Sequence, residues 1–287
     1  MATIEAESHT PERHTEDEIV AAPGVNLTER VLRIAVPFAM LVLLIVAWQV
    51  YVTVYNVPHY ILPSPLRVAQ AMMTDWPILL AALWVTLKIT FAALGIALVG
   101  GVALAIIMAQ SRWFELALFP YAVILQVTPI VAIAPLILIY APSTQSALLI
   151  CAWLVAFFPV LSNTAQGLRS TDHNLLNLFE LYGASRWRTL ILLKLPNALP
   201  YFLAGLRIAG GLALIAAVVA EFAAGSAGAG SGLAFRLLES QYRLNIPRLF
   251  AALVLLSFTG ICIFFATSLI SHLLLRKWHE SAVRREN

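Results

Sequence analysis

The sequence predicts an all-α integral membrane protein with six transmembrane helices. Of its 287 residues 61% are hydrophobic and 11% charged, where a soluble domain carries roughly 25% charged residues. The apolar residues gather into six runs, at 32–55, 82–108, 117–140, 145–168, 199–223 and 249–275, each near the ~20 residues a bilayer core requires. The polar segments between them carry the capping and turn residues of short surface helices rather than strand signals.

Residues 1–30 are polar, with acids at Glu5, Glu7, Glu12, Glu16, Asp17, Glu18 and Glu29, a composition expected of a disordered solvated tail. No basic start followed by a short apolar core and a small-residue cleavage site opens the chain, so the first apolar run is expected to stay as an anchor. The transmembrane domain then covers 31–278, and 279–287 form a second tail. Between the first two spans, Asn56 to Pro77 is too polar and proline-rich to cross a bilayer. Pro63-Ser64-Pro65 reads as a turn into a short amphipathic surface helix, LRVAQAMM. The third span is interrupted by Pro129 and Pro135.

The stretch 172–200, DHNLLNLFELYGASRWRTLILLKLPNALP, separates spans four and five. Leu175, Leu176, Phe179 and Tyr182 recur at helical spacing, with Asp172, Asn174, Asn177 and Glu180 on the other face. Gly183 supplies the backbone freedom to stop that helix. Ser185 is placed to cap a second, basic helix carrying Arg186, Arg188 and Lys194. Pro196 is expected to interrupt it, and Pro200 to open the next span. The result would be a two-helix bracket outside the membrane, offered to a partner.

This stretch resembles the cytoplasmic coupling loop of permease subunits of bacterial binding-protein-dependent ABC importers. Their motif runs Glu-Ala-Ala, three residues, Gly, nine residues, then Ile or Val, any residue, Leu-Pro. Gly183 holds the Gly position, and Leu193, Leu195 and Pro196 fall on the closing segment. The runs GASRW at 183–187 and LPNALPYFLAGLRIA at 195–209 are similar to the nitrate, sulfonate and taurine branch, as are the LPSP entry at 62–65 and VVAEF at 218–222. The chain departs at the Glu-Ala-Ala positions, which are Asn177, Leu178 and Phe179; Glu180 is the nearest carboxylate.

The resemblance implies the type I importer permease (MetI-like) fold, with 172–200 as the coupling-helix loop in the bacterial inner membrane. It also implies ABC ATPase subunits on the cytoplasmic side, meeting Asn177, Phe179, Glu180, Gly183, Ala184, Leu195 and Pro196. A periplasmic solute-binding protein would deliver the solute. Six spans are few to enclose a polar path, so two copies, a homodimer, are expected to form it.

Charge sets the orientation. With the amino terminus inside, the cytoplasmic face holds Arg13, Arg30, Arg33, Arg112, Arg169, Arg186, Arg188, Lys194, Arg276, Lys277, Arg284 and Arg285, against Arg67, Arg236, Arg243 and Arg248 outside. The excess of basic residues places both termini and the hairpin in the cytoplasm.

Ionisable and polar groups within spans mark a candidate translocation path: Gln126, Thr128, Asn163, Thr164 and Glu221. Interhelical hydrogen bonding is the alternative role for each. Glu221 is expected close enough to water to stay hydrated, and Lys88 and Arg207 to snorkel towards headgroups. Gly95, Gly100, Gly101, Gly205, Gly210 and Gly211 are expected to let helices approach closely. The segment after GSAGAGSG (225–232) spaces Arg236, Glu239 and Arg243 for a short outer helix, either an acceptor for the binding protein or a solvated face.

Other chemistry is not expected. Cys151 and Cys262 lie in separate spans, and the six histidines do not cluster, so neither a metal nor another cofactor is implied. GSAGAGSG lacks the Lys of a phosphate-binding loop. The small net charge of +3 does not point to nucleic acid. A nucleophile paired with a base is missing, so the chain is not expected to be an enzyme. The alternative, a self-sufficient secondary transporter or channel, would show an internal repeat with paired broken helices. The solute is expected to be a heterocyclic vitamin or precursor (pyrimidine, riboflavin) or a sulfonate- or nitrate-type anion. A path lined by apolar and amide groups suits the neutral class.

Overall fold

The computed structural model describes residues 27–225 and 230–276, and among them every regular element is a helix. The two expected tails fall almost wholly outside the described residues. Helix α1 (Leu27–Val54) nevertheless begins inside the stretch expected as tail. Between Val31 and Val54 nearly every described side chain of the helix is exposed. Near its end Trp48 meets Phe250, ring centroids 5.8 Å apart.

Ser64 caps α2 (Pro65–Thr74), its Oγ accepting from the Arg67 N–H, with Pro65 at the first turn where its missing N–H costs nothing. Asp75 separates α2 from α3 (Trp76–Gln110), which starts six residues earlier than the apolar run predicts. Ser111 then caps α4 (Arg112–Val127).

The third span is not one rod. α4 and α5 (Ile130–Tyr140) meet at 101°. The break falls at Thr128-Pro129, where both residues are extended. Thr128 Oγ1 donates to the Ile124 carbonyl at 2.6 Å, the same carbonyl that accepts the Thr128 N–H at 3.1 Å, so both donors of Thr128 close back on the end of α4. Pro135 sits inside α5 without ending it. Among the described residues there are therefore five long apolar helices, and a sixth span if the bent pair is counted as one.

Helices α6 (Thr144–Arg169) and α9 (Leu195–Ala224) form the centre, with α3 packed on α6. Small residues set their spacing. A β-carbon on Gly205 would lie 2.8 Å from the Pro159 carbonyl oxygen, and one on Gly167 2.8 Å from Ala198 Cα. Gly101 is equally tight against Val160 at 2.9 Å. Without a hydrophobic drive between helices in lipid, such close contact supplies much of the attraction. Gly95 and Gly211 differ from expectation, since nothing lies within 4 Å of a β-carbon at either. Helix α11 (Ile246–Leu275) packs on the other side of α9, Ile263 and Thr267 against Gly210. Thr259 and Thr267 return their hydroxyl protons to carbonyls four residues back, as a medium without water requires.

Candidate functional site: the hairpin, the polar span residues and the knot at Glu221

The hairpin begins where Asp172 Oδ1 accepts the Asn174 N–H at 2.8 Å and opens α7 (His173–Leu181). Gly183 ends it with φ +68°, its N–H bonded to Glu180 O and that of Ala184 to Phe179 O, both at 2.9 Å. This is the left-handed stop the sequence predicts. Ser185 Oγ accepts the Arg188 N–H and opens α8 (Arg186–Thr189).

The second arm differs from expectation. α8 runs through a π turn at Leu190–Lys194 straight into α9, one helical run from Arg186 to Ala224. Leu195 N–H reaches back five residues to Leu190 O. The wider turn gives the prolyl ring at 196 room and absorbs the bond it cannot make, so Pro196 bends the hydrogen-bond pattern without interrupting the helix. Pro200 sits inside α9 rather than at its start.

No residue of α7 is buried. Leu181 and Tyr182 are 85% and 83% exposed, and Trp187 63%. Asn177 points outward, while Phe179 and Ala184 are half-buried. Glu180 lines a cleft of about 400 Å³ with Leu176, Arg186, Thr189 and Lys194, against Ala109 and Gln110 at the end of α3. Beside it Arg169, at the end of α6, holds Glu115 at 2.8 Å. The carboxylate facing the cleft is thus Glu180. Leu195 is half-buried and Pro196 exposed at the foot of α9.

The polar span residues do not converge. Gln126 is exposed beside the bend and Thr128 is bonded to its own helix. Asn163 Nδ2 donates to Pro159 O at 2.8 Å and packs against Gly205. Thr164 is buried.

Glu221 corrects the expectation of a hydrated carboxylate: it is 2% exposed. Thr86 on α3 donates to its Oε1 at 2.8 Å, and the Ala234 N–H to its Oε2 at 2.9 Å. Thr86 Oγ1 in turn accepts the Leu233 N–H at 2.9 Å. Leu233 and Ala234 are the first two residues of α10 (Leu233–Tyr242). Their N–H groups have no partner within their own helix, so Glu221 and Thr86 together cap α10 and tie it to α9 and α3. Gly232 lies against the same carboxylate.

Outside this knot, Glu239 holds Arg236 at 2.7 Å and Arg243 at 3.0 Å. The Arg236 hydrogen bond is the main cause that keeps the Glu239 carboxyl below its ordinary range. Arg248 clamps Asp75 with both arms, at 2.6 and 2.7 Å. Sequence reading missed Thr86, Gly232 and this pair. Each is ordinary in its local context, and only distant packing gives it a partner. Among the described residues no group of His, Cys, Asp and Glu is placed to hold a metal.

The model of the family described as "Binding-protein-dependent transport system inner membrane component" matches residues 101–280. The chain belongs to this family. The permease is 36% identical over 251 residues to the riboflavin transport system permease protein RibX of Chloroflexus aurantiacus, covering 84% of this chain and 89% of that one. It is 31% identical over 240 residues to the formylaminopyrimidine transport permease protein ThiX of Halalkalibacterium halodurans, covering 83% and 94%. A putative aliphatic sulfonates transport permease protein of Escherichia coli, SsuC, is 30% identical over 252 residues, covering 85% and 92%. The crystal structure of an amino acid ABC transporter with histidines superposes with a TM-score of 0.60 at 18% identity, over 72% of this chain and 97% of that one. This likeness is one of fold. The permease is a multi-pass subunit of an ABC importer of the branch that includes sulfonate permeases.

Proposed function

We propose that the permease, as a homodimer, forms the route for a planar heterocycle bearing carbonyl groups, of the riboflavin or pyrimidine-precursor class. A periplasmic binding protein delivers the solute, and two ATPase subunits dock on the cytoplasmic hairpin. Similarity to the riboflavin permease across 84% of the chain carries the solute class. A sulfonate- or nitrate-type anion is the second reading, favoured by the likeness to the sulfonate permease.

The exposed apolar residues of the hairpin support the ATPase contact. Leu181, Tyr182 and Trp187 form no core in the subunit, and Glu180 in the adjoining cleft takes the place of the carboxylate absent at Asn177. Leu195 and Pro196 form the foot through which movement of the hairpin reaches α9. Residues 1–30 and 279–287 are read as cytoplasmic tails flanking the domain 31–278.

A binding screen on the cognate periplasmic protein tests the solute. Binding of riboflavin or a formylaminopyrimidine supports the heterocycle class, and binding of only an alkanesulfonate or nitrate replaces it with the second reading. The orientation is tested by thiol labelling with an impermeant reagent. Trp187→Cys should react only after the cytoplasmic side is opened, and Tyr242→Cys in intact spheroplasts; the reverse pattern inverts the topology.

A further inference from the structure

Arg207 is the thirteenth of the thirty residues of α9, and its neighbours give its depth. Asn197, ten residues earlier, donates to Gly167 O and Ser170 Oγ at the inner end of α6. At ~1.5 Å per residue, Arg207 lies about 15 Å further along, half the ~30 Å of a bilayer core. Gly205 packs on Pro159, in the middle third of α6. The guanidinium itself stands 5.8 Å from the ring of Phe264, in the middle third of α11. The headgroups are out of reach from there, so snorkelling does not account for this side chain.

Arg207 is exposed on the subunit, and among the described residues no carboxylate forms an ion pair with it. Turned to lipid at that depth, a bare guanidinium would be among the costliest placements in the chain. The same stripe of α9 holds Ala204 and Gly211, and a β-carbon at Gly211 would meet no atom within 4 Å. The stripe around this cation is therefore subunit surface and not a contact between the subunit's own helices.

We propose that Arg207 faces the water-filled route, where it holds the oxygen-acceptor edge of the passing solute and repels cations. Phe264 supports one side of the planar guanidinium and leaves its N–H edge free for carbonyl or oxyanion oxygens. A fixed positive charge on the wall of the route also lets it discriminate against protons and metal cations on an energised membrane. The inference rests on the importer reading but not on which of the two solute classes is correct.

The test uses the complete transporter in liposomes, with Cys151→Ala and Cys262→Ala as background and Gly211→Cys as the reporter, one turn from Arg207. The reporter is titrated with an impermeant anionic and an impermeant cationic methanethiosulfonate, at rest and during ATP turnover, each rate normalised to a free thiol. The expected result is reaction in at least one state with the anionic reagent favoured, and a fall in that preference of about tenfold on adding Arg207→Gln. Absence of reaction in every state overturns the proposal, as does a preference that Arg207→Gln leaves unchanged. Should Arg207→Gln fail to assemble, parity or cation preference with Arg207 intact overturns it equally. Failure of the importer reading would be seen separately, as no ATP-dependent uptake from a loaded binding protein even by the wild-type transporter.

Discussion

Gly232 lies against the carboxylate of Glu221, so close that a β-carbon on the glycine would overlap the carboxyl group. The backbone there is extended, with φ −84°, so it is space rather than backbone conformation that calls for glycine. Glu221 occupies the place of a side chain at 232 while capping the helix that follows.

Gly232→Ala should therefore displace the carboxylate, release the Ala234 N–H and the Thr86 hydroxyl that it accepts, and cost about 2 kcal/mol or more. Glu221→Gln puts an amide where two N–H or O–H donors meet acceptors, and should lower yield and thermal stability in the same direction. Both are read from purified yield and melting of the complex. Normal melting of Glu221→Gln with reduced binding-protein-stimulated ATPase would instead assign Glu221 to gating.

Gly183→Val should impair assembly with the ATPase or uncouple hydrolysis from uptake, because a β-branched residue resists φ +68°. The space around Gly183 is open, so the strain is in the backbone alone and Gly183→Asn should be tolerated far better. Co-purification of the ATPase and the ratio of hydrolysis to uptake are the measurements. Asn177→Ala should be mild and Glu180→Ala harmful if Glu180 provides the docking carboxylate; equal effects would remove that role.

Asp75 and Arg248 join the α2–α3 junction to the start of α11 through two charge-assisted bonds. Both side chains are largely shielded, at 14% and 16% exposure. Asp75→Asn and Arg248→Gln should each destabilise, and the double variant should show a coupling of about 2 kcal/mol. Additive losses in a double-mutant melting cycle would reduce the pair to an incidental contact.

The Glu239 carboxyl is depressed below its ordinary value of 4.5, first by the Arg236 hydrogen bond. Its folded form thus binds a proton less readily than its unfolded form. The stabilisation it gives α10 is complete above 4.5 and is lost as pH falls through the lower, folded value. Thermal stability of the wild-type complex should drop more steeply below pH 4.5 than that of Glu239→Gln. Parallel profiles would show that the ion pairs on α10 contribute nothing.

The apolar runs, the turn at Pro63-Ser64-Pro65, the cap at Ser185 and the stop at Gly183 were legible in the sequence because each rests on interactions within a few residues. Hydrophobic length determines that a segment crosses lipid, and a glycine followed by a capping serine determines a helical stop and restart whatever surrounds them. The outcome at the prolines was not local. Pro129 bends the third span by 101°, whereas Pro135, Pro196 and Pro200 lie within continuous helical runs. The same missing N–H goes with a break at Pro129, a π turn before Pro196 and an uninterrupted helix at Pro135 and Pro200, so the residue type alone does not decide the outcome. The role of Glu221 was decided only in three dimensions, since Thr86 is 135 positions away and nothing near either residue announces the other. The same holds for Arg207, whose place at mid-membrane depends on the level at which α9 packs against α6. A sequence records that a charge lies in an apolar run; only the tertiary structure fixes its depth and whether a partner neutralises it.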